Sequence, residues 1–163
     1  KRIMTITLSN ELIERIHQHG ETAYPEEGAG LLLGLVHGRD KYVFELLEFS
    51  NSREDGARHN RYLLTPNDYL IGEQEAARLG FEVVGVFHSH PDHPDMPSEF
   101  DLEWAMPWLS YIITSVQQGT AESSRSWQLS EDRARFFEEL ILVSNRVSEK
   151  EKNVKMESQR RSL

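Results

Sequence analysis

Apolar residues along this chain change their spacing repeatedly, and the changes predict alternating strands and helices. Residues 4–8 alternate like a short strand, and residues 9–20 then carry apolar positions at helical spacing up to a glycine, Gly20, that we expect to end the helix. Residues 28–38 and 41–52 are two apolar runs separated by a turn, which predicts a β-hairpin.

The second half of the chain continues the alternation. A helix is predicted over residues 65–80, where Thr65 and Asp68 form a capping-box pattern. The remaining elements are, in chain order, a strongly apolar strand over 82–90, a short helix over 98–106, an apolar strand over 108–116, a strand over 126–129 and a last segment over 133–143. That last segment fits either a strand or a helix. Strands alternating with helices predict a layered α/β or α+β domain.

The length of 163 residues fits one domain with a core of its own. We expect this domain to cover residues 1–147. Residues 148–163 are polar and poor in apolar side chains, so we expect a C-terminal tail that is mobile or forms a solvated helical extension.

Composition excludes several classes of protein. The formal net charge of -9, without any block of basic residues, argues against nucleic acid or an anionic membrane as partner. The chain has no cysteine, which excludes disulfides, thiolate metal sites and a cysteine nucleophile. No apolar run approaches the roughly 20 residues of a membrane span, and the first residues lack the apolar core of a signal peptide, so a cytoplasmic location is the default expectation.

Residues 86–101, VFHSHPDHPDMPSEFD, hold a dense group of metal-binding side chains. His88 and His90 end a predicted strand, and side chains two apart on a strand point to the same face. A carboxylate that follows the proline-rich loop can complete a set of three ligands, although spacing alone does not choose which one. The candidates are Asp92, Asp95, Glu99 and Asp101. Two histidines and one carboxylate leave one position of a tetrahedral zinc site open, as catalytic zinc sites do.

Several of these residues also have an ordinary structural explanation. A His-x-His pair alone is a weak metal signal. Ser98 begins an S-x-x-D pattern, so its hydroxyl either caps a helix or donates a hydrogen bond to an oxyanion beside a metal. We expect His93 to lie on an exposed loop. The other histidines are expected to be solvated surface residues, and they are His17, His19, His37 and His59.

The motif HSHP at residues 88–91, followed by Ser98 after six residues and by Asp101 after two more, resembles the signature of the JAMM (MPN+) zinc metalloproteases. That family has a glutamate on an early strand, before a segment like GLLLG. The stretch YPEEGAGLLLG matches this feature and places the glutamate at Glu27.

The resemblance covers most of residues 3–141 and extends to the compact, Mec-type prokaryotic hydrolases that act on small sulfur-carrier proteins. One departure is Ala29, where the family commonly has a cysteine. Because that cysteine is not a catalytic group, the departure does not affect the chemistry that the resemblance implies.

What the resemblance implies for the site is a set of roles. It implies one zinc ion per chain, held by a water and three side chains, His88, His90 and Asp101. Glu27 would be the general base, and Ser98 would donate to the oxyanion of the tetrahedral intermediate. Glu26 is the adjacent competitor for the base, since only one of two neighbours on a strand faces the metal.

The implied fold is a mixed, curved β-sheet flanked by helices, with a core similar to that of cytidine deaminases and the site at one sheet edge. A zinc deaminase itself would need an H-x-E motif together with P-C-x-x-C, and this cysteine-free chain lacks the second. An inactive MPN scaffold typically loses a ligand or the glutamate, whereas this chain keeps all five positions.

The implied activity is cleavage of a peptide or isopeptide bond after the C-terminal glycine of a small ubiquitin-like or sulfur-carrier protein, with ubiquitin-type conjugates as the alternative substrate. An open edge strand would hold such a tail by β-augmentation. Small or rigid residues beside the site would leave a narrow groove for a Gly-Gly tail, and they are Gly28, Ala29, Gly30 and Pro91. The sequence gives no oligomeric state.

Overall fold

A computed structural model describes residues 3–50 and 64–144, together with Val154, Met156, Glu157 and Arg160 of the tail. The described part contains seven strands and three helices. In chain order they are β1 (Thr5–Ser9), α1 (Asn10–Ala23), β2 (Ala29–His37), β3 (Asp40–Phe49), α2 (Pro66–Leu79), β4 (Glu82–Pro91), α3 (Glu99–Trp104), β5 (Ser110–Gln117), β6 (Thr120–Leu129) and β7 (Phe136–Ser144).

The strands form a mixed sheet that closes into a barrel in the order β1-β3-β2-β4-β5-β6-β7. β1 pairs in parallel with both β3 and β7, and β4 pairs in parallel with β5, while the other neighbours are antiparallel. The predicted α+β class, with a mixed and curved sheet, is therefore confirmed.

Both faces of the central strands are covered, which explains the unbroken apolar run of β2. Leu31 packs in one apolar cluster with Ala76 of α2, whereas Leu32 packs in a second cluster with Leu12 of α1. Because successive side chains of a strand point to opposite faces, both residues need an apolar neighbour.

A register shift decides which side chains of β4 reach each face. The pairing of β2 with β4 shifts by one residue within the leucines of β2, as at a β-bulge. Beyond it, Val86 packs in the cluster with α2, and Phe87 packs in the cluster with α1. Alternation then puts His88 and His90 on the face of Val86, and Ser89 on the face of Phe87.

The prediction that Gly20 ends the first helix is wrong. α1 continues to Ala23, and Gly20 is buried within it. A Cβ atom at Gly20 would lie 3.1 Å from the Cβ of Ser89 and 3.1 Å from Val116. The glycine therefore allows α1 to approach the sheet closely instead of ending the helix.

Other differences concern the ends of elements. α3 ends at Trp104, two residues before the predicted end. β6 begins at Thr120, six residues earlier than predicted, because its polar first half pairs with β5. The ambiguous last segment is a strand, β7, which pairs with β6 and β1.

The predicted boundary at residues 147 and 148 lies outside the described residues and stays a prediction. The four described positions of the tail are helical, and Val154 among them is buried. The helix is thus not solvated at that position. None of the helices among the described residues is long and apolar enough to cross a membrane.

A substitution at Gly34 tests the close packing of β2 on β3. A Cβ atom there would lie 1.8 Å from the carbonyl oxygen of Tyr42, which is main chain and cannot rotate away. We expect Gly34→Ala to lower the free energy of unfolding by about 1–3 kcal/mol, measured by chemical denaturation. The control Val36→Ala, at an exposed position of the same strand, should change it by no more than about 0.5 kcal/mol.

Candidate metal centre

Three side chains converge at the end of β4. The Nε2 atom of His88 lies 3.2 Å from Oδ1 of Asp101, and Nε2 of His90 lies 3.2 Å from Oδ2 of the same carboxylate. All three residues are buried, and one ligand atom from each lies within 4.8 Å of the others. Two nitrogen atoms and one carboxylate thus face a common point.

The spacing of these atoms fits a small divalent cation. Zinc bonds to nitrogen and oxygen are about 2.0–2.1 Å long, so two ligands of a tetrahedral site lie about 3.3 Å apart. The two distances of 3.2 Å from imidazole to carboxylate agree with that value. The two distances use different oxygen atoms of Asp101, and one ligand atom from each residue lies within 4.8 Å of the others, so the group could hold a metal.

The orientation of His90 also suits a ligand. Its Nδ1 atom lies 2.8 Å from the carbonyl oxygen of Pro94, which can only accept a hydrogen bond. Nδ1 therefore carries a proton, and when the ring is neutral Nε2 has its lone pair directed at the site. Histidine ligands of metals are commonly fixed in this way.

The pKa values of the three groups reflect burial and mutual attraction. Burial lowers the pKa of His88, although the negative charge of Asp101 opposes this. Burial also acts to lower the pKa of His90, but the hydrogen bond and charge of Asp101 outweigh it and raise the pKa. Burial acts to raise the pKa of Asp101, yet the two histidines and the main chain of Ser98 hold it far below its usual range.

The start of α3 places Asp101. The Ser98 hydroxyl accepts a hydrogen bond from the Asp101 amide at 3.1 Å, and the Asp101 carboxylate accepts one from the Ser98 amide at 2.8 Å. This capping box confirms that Ser98 caps the helix. The same hydroxyl lies 3.0 Å from Oδ2 of Asp101 and donates to it. Ser98 is itself exposed, so solvent reaches it.

The pairing of β2 with β4 brings Glu27 towards the two histidines. It is 6% exposed and occupies the loop between α1 and β2, two residues before the strand. Ala29 is paired with His88, and the amide of Ser89 donates to the carbonyl of Gly28, so the next pair places Glu27 opposite His90. The charge of Glu27 acts on the pKa of His90. Glu26 is only half-buried.

The other candidate carboxylates lie outside the group. Asp92 is exposed and accepts hydrogen bonds from the Tyr24 hydroxyl and the Gln118 amide. Asp95 and Glu99 are likewise not part of a cluster with the histidines among the described residues. Asp101 is therefore the carboxylate that the structure brings to His88 and His90.

Expectations for the remaining histidines are partly wrong. His37 and His93 are exposed, as predicted, and His59 lies outside the described residues. His17, however, is half-buried and bonded to the Ser124 hydroxyl at 2.9 Å. His19 is half-buried too, and its ring contacts Phe87 edge-on. Both lie on α1, whose apolar stripe alone does not reveal that the helix packs this closely.

The position of the site in the sheet bears on two expectations. β2 lies between β3 and β4, and β4 lies between β2 and β5, so neither strand beside the site is an open edge. The small residues expected to line a groove are buried. A Cβ atom at Gly28 would meet His19, and one at Gly30 would meet Phe87. Both glycines allow close packing of α1 and Phe87. Gly28 also lines a cavity of about 480 Å³ together with Glu27, so the expectation of a groove stays a prediction.

Comparison with known proteins identifies the family. Residues 9–130 match the prokaryotic homologs of the JAB domain, and this range includes all five candidate site residues. The chain belongs to this family, which confirms the resemblance seen in the motifs. A JAB1/MPN domain protein from Archaeoglobus fulgidus has a similar fold, with a TM-score of 0.51 and 20% identity over 85% of this chain and 99% of that one.

Two relatives carry the names of enzymes. A desampylase from Pyrococcus furiosus is 29% identical over 98 residues, which is 60% of this chain and 66% of that protein. A probable TtuB-protein conjugate cleaving protease from Thermus thermophilus is 26% identical over 109 residues, or 65% of this chain and 69% of that protein.

Substitution of the ligands tests the metal site. We expect the purified protein to hold about one zinc ion per chain, and His88→Ala or His90→Ala to lose it, because two ligands are too few for a stable site. Asp101→Ala should weaken zinc binding as well. Zinc is measured by elemental analysis after dialysis.

His93→Ala, on the exposed loop three residues beyond His90, is the control and should keep the metal. Full zinc occupancy in the double variant of His88 and His90 would contradict the ligand assignment. If Asp92→Ala or Asp95→Ala lost zinc while Asp101→Ala kept it, the third ligand would be Asp92 or Asp95 and not Asp101.

Proposed function

We propose that this protein is a zinc-dependent hydrolase that cleaves a peptide or isopeptide bond after the C-terminal glycine of a small ubiquitin-like or sulfur-carrier protein. The observation that carries the proposal is the convergence of His88, His90 and Asp101, with Glu27 buried and brought towards them by the pairing of β2 with β4. A cytoplasmic location remains a prediction that goes with it.

The donor set supports the chemistry. Zinc held by two imidazoles and one carboxylate would acidify water and polarise the scissile carbonyl. Glu27 accepts the proton of the attacking water as its oxygen bonds to the carbonyl carbon. The carboxyl group then delivers this proton to the leaving nitrogen as the C–N bond breaks, so the products are a carboxylic acid and an amine, and the acid passes its proton to the amine to give a carboxylate and an ammonium group.

Ser98 can serve both as a helix cap and as an oxyanion donor, because the two roles use different parts of its hydroxyl. A lone pair of the oxygen accepts the hydrogen bond of the Asp101 amide. The single proton is directed at Oδ2 of Asp101 in the absence of substrate. When an oxyanion forms beside the exposed hydroxyl, the proton can turn to it while the cap remains.

The substrate class is supported by the relatives. One is named a desampylase and the other a probable protease that cleaves conjugates of the TtuB protein.

The sheet limits where the C-terminal tail of a substrate could pair. Since β2 and β4 have partners on both sides, such a tail does not add to either strand. Among the described residues, β1 pairs only with Asp40–Tyr42 of β3, so the outer side of Val43–Phe49 is where a tail could pair.

Two substitutions separate the base from the ligands. Glu27→Gln should keep zinc and the fold but lower the rate of hydrolysis by about 10²–10⁴-fold, the usual contribution of a positioned base. Glu26→Gln is the matched control, and its rate should stay close to that of the unchanged protein. Rates are measured at saturating substrate, with zinc content determined on the same samples.

Equal losses in the two glutamine variants would contradict the assignment of Glu27.

Ser98→Ala should lower the rate by about 10²–10³-fold if its hydroxyl donates to the oxyanion. A loss of about 1 kcal/mol of stability with an unchanged rate would leave Ser98 with the capping role alone.

A panel of conjugates tests the substrate class. We expect cleavage directly after the terminal glycine of a carrier that ends in Gly-Gly, with release of an amino acid, a short peptide or a lysine-linked partner. Carrier–cysteine, carrier–peptide and ubiquitin–lysine conjugates are compared by mass spectrometry. Replacing the penultimate glycine of the carrier with leucine should abolish turnover.

Equal rates on the glycine and leucine carriers would overturn the tail preference while leaving the hydrolase intact. Activity on unrelated unfolded peptides alone would have the same consequence. An absence of hydrolysis by a protein that holds one zinc ion per chain would instead favour a scaffold without catalytic activity.

A further inference from the structure

The residue between the two histidines faces away from the metal. His88 and His90 point to one face of β4, so the side chain of Ser89 points to the other, towards α1. Ser89 is 2% exposed, and a Cβ atom at Gly20 of α1 would lie 3.1 Å from its Cβ. Its hydroxyl therefore cannot contact the metal or a substrate.

Two hydrogen bonds join Ser89 to the residue that follows Glu27. The amide of Ser89 donates to the carbonyl oxygen of Gly28 at 3.0 Å, and the amide of Gly28 donates to the Ser89 hydroxyl oxygen at 2.8 Å. In a regular antiparallel pair, a main-chain carbonyl would accept the second bond. Here the side chain replaces it, at the point where the chain enters β2 from the loop that carries Glu27.

The same pair is enclosed by α1. A Cβ atom at Gly28 would lie 2.8 Å from Nδ1 of His19 and 3.0 Å from Cβ of Ala23. The buried amide of Gly28 is therefore unable to turn to solvent if the hydroxyl of Ser89 is removed. Loss of that acceptor leaves a buried donor unsatisfied, which displaces the chain or costs the desolvation of the amide.

We propose that Ser89 is a positioning residue that holds Glu27 opposite His90 through its bonds to Gly28. The pair of Ser89 and Gly28 lies between two neighbours that matter for catalysis, with Ala29 opposite His88 on one side and Glu27 opposite His90 on the other. Fixing this one pair sets the distance from the carboxylate of Glu27 to the metal ligands. The inference rests on the proposed function.

The test compares Ser89→Thr with Ser89→Val. The two side chains have the same shape, so they share any steric cost against α1 and differ only in the hydroxyl. We expect both variants to fold and to keep about one zinc ion per chain, with a lower melting temperature for the Val variant because its Gly28 amide lacks an acceptor. The Val variant should have a kcat roughly 10–100-fold below that of the Thr variant, with KM changed little, because a small displacement of a catalytic group is costly.

A second measurement does not depend on activity. Hydrogen exchange of the Gly28 amide, followed by NMR, should be at least about tenfold faster in the Val variant than in the Thr variant, because that amide has lost its acceptor. Ser89→Ala, with no added methyl group, gives the same comparison against the unchanged protein if the larger side chains prevent folding.

Equal exchange of the Gly28 amide in the Thr and Val variants, or equal kcat values, would overturn the inference. So would a loss of kcat that follows a loss of zinc, because Ser89 would then act through the histidines. If the unchanged protein hydrolyses none of the conjugates, the proposed function fails and the role of Ser89 in catalysis fails with it. The exchange measurement would still decide separately whether the hydroxyl holds Gly28.

Discussion

The carboxylate of Asp101 is the contact on which the site depends. Its Oδ2 atom closes the capping box with Ser98 and also lies 3.2 Å from Nε2 of His90, while Oδ1 lies 3.2 Å from Nε2 of His88. The first turn of α3 is thereby fixed against the end of β4. A helix of only six residues has little stability of its own, so the cap and the site hold it in place together.

The second half of the site comes from pairing between strands that are distant in sequence. The pairing of Ala29 with His88 brings the segment that carries Glu27 next to the end of β4, where the charge of Glu27 acts on the pKa of His90. The burial of both sheet faces makes this register strict, since a slip of one residue would turn the apolar side chains of β2 to the wrong clusters. The packing that forms the core therefore also sets the position of Glu27, the proposed base. α1 adds to this because it packs closely on the sheet at Gly20 and at Gly28.

Much of the fold was readable from the sequence, because the strands are strongly apolar and α2 has a clear cap at Thr65. The polar first half of β6 has no apolar pattern that predicts a strand, and it is a strand because it pairs with β5. The His-x-His spacing identified two ligands. The third, Asp101, followed from the family resemblance and not from spacing, because only the capping box of α3 distinguishes it from Asp92, Asp95 and Glu99. The role of Gly20 was not predicted either, because it depends on the close contact of α1 with the sheet and not on the local sequence.

Charge explains why such a site calls for a divalent cation. With neutral histidines, the ionised side chains of Asp101 and Glu27 would be two negative charges in a buried region, and burial of like charges is unfavourable. Burial acts to lower the pKa of His90, but the hydrogen bond and charge of Asp101, together with the charge of Glu27, raise it. A cation of charge two balances both carboxylates while leaving the imidazoles neutral, as metal binding requires. In the proposed role of base and not of ligand, Glu27 would take up a proton during the reaction without releasing the metal.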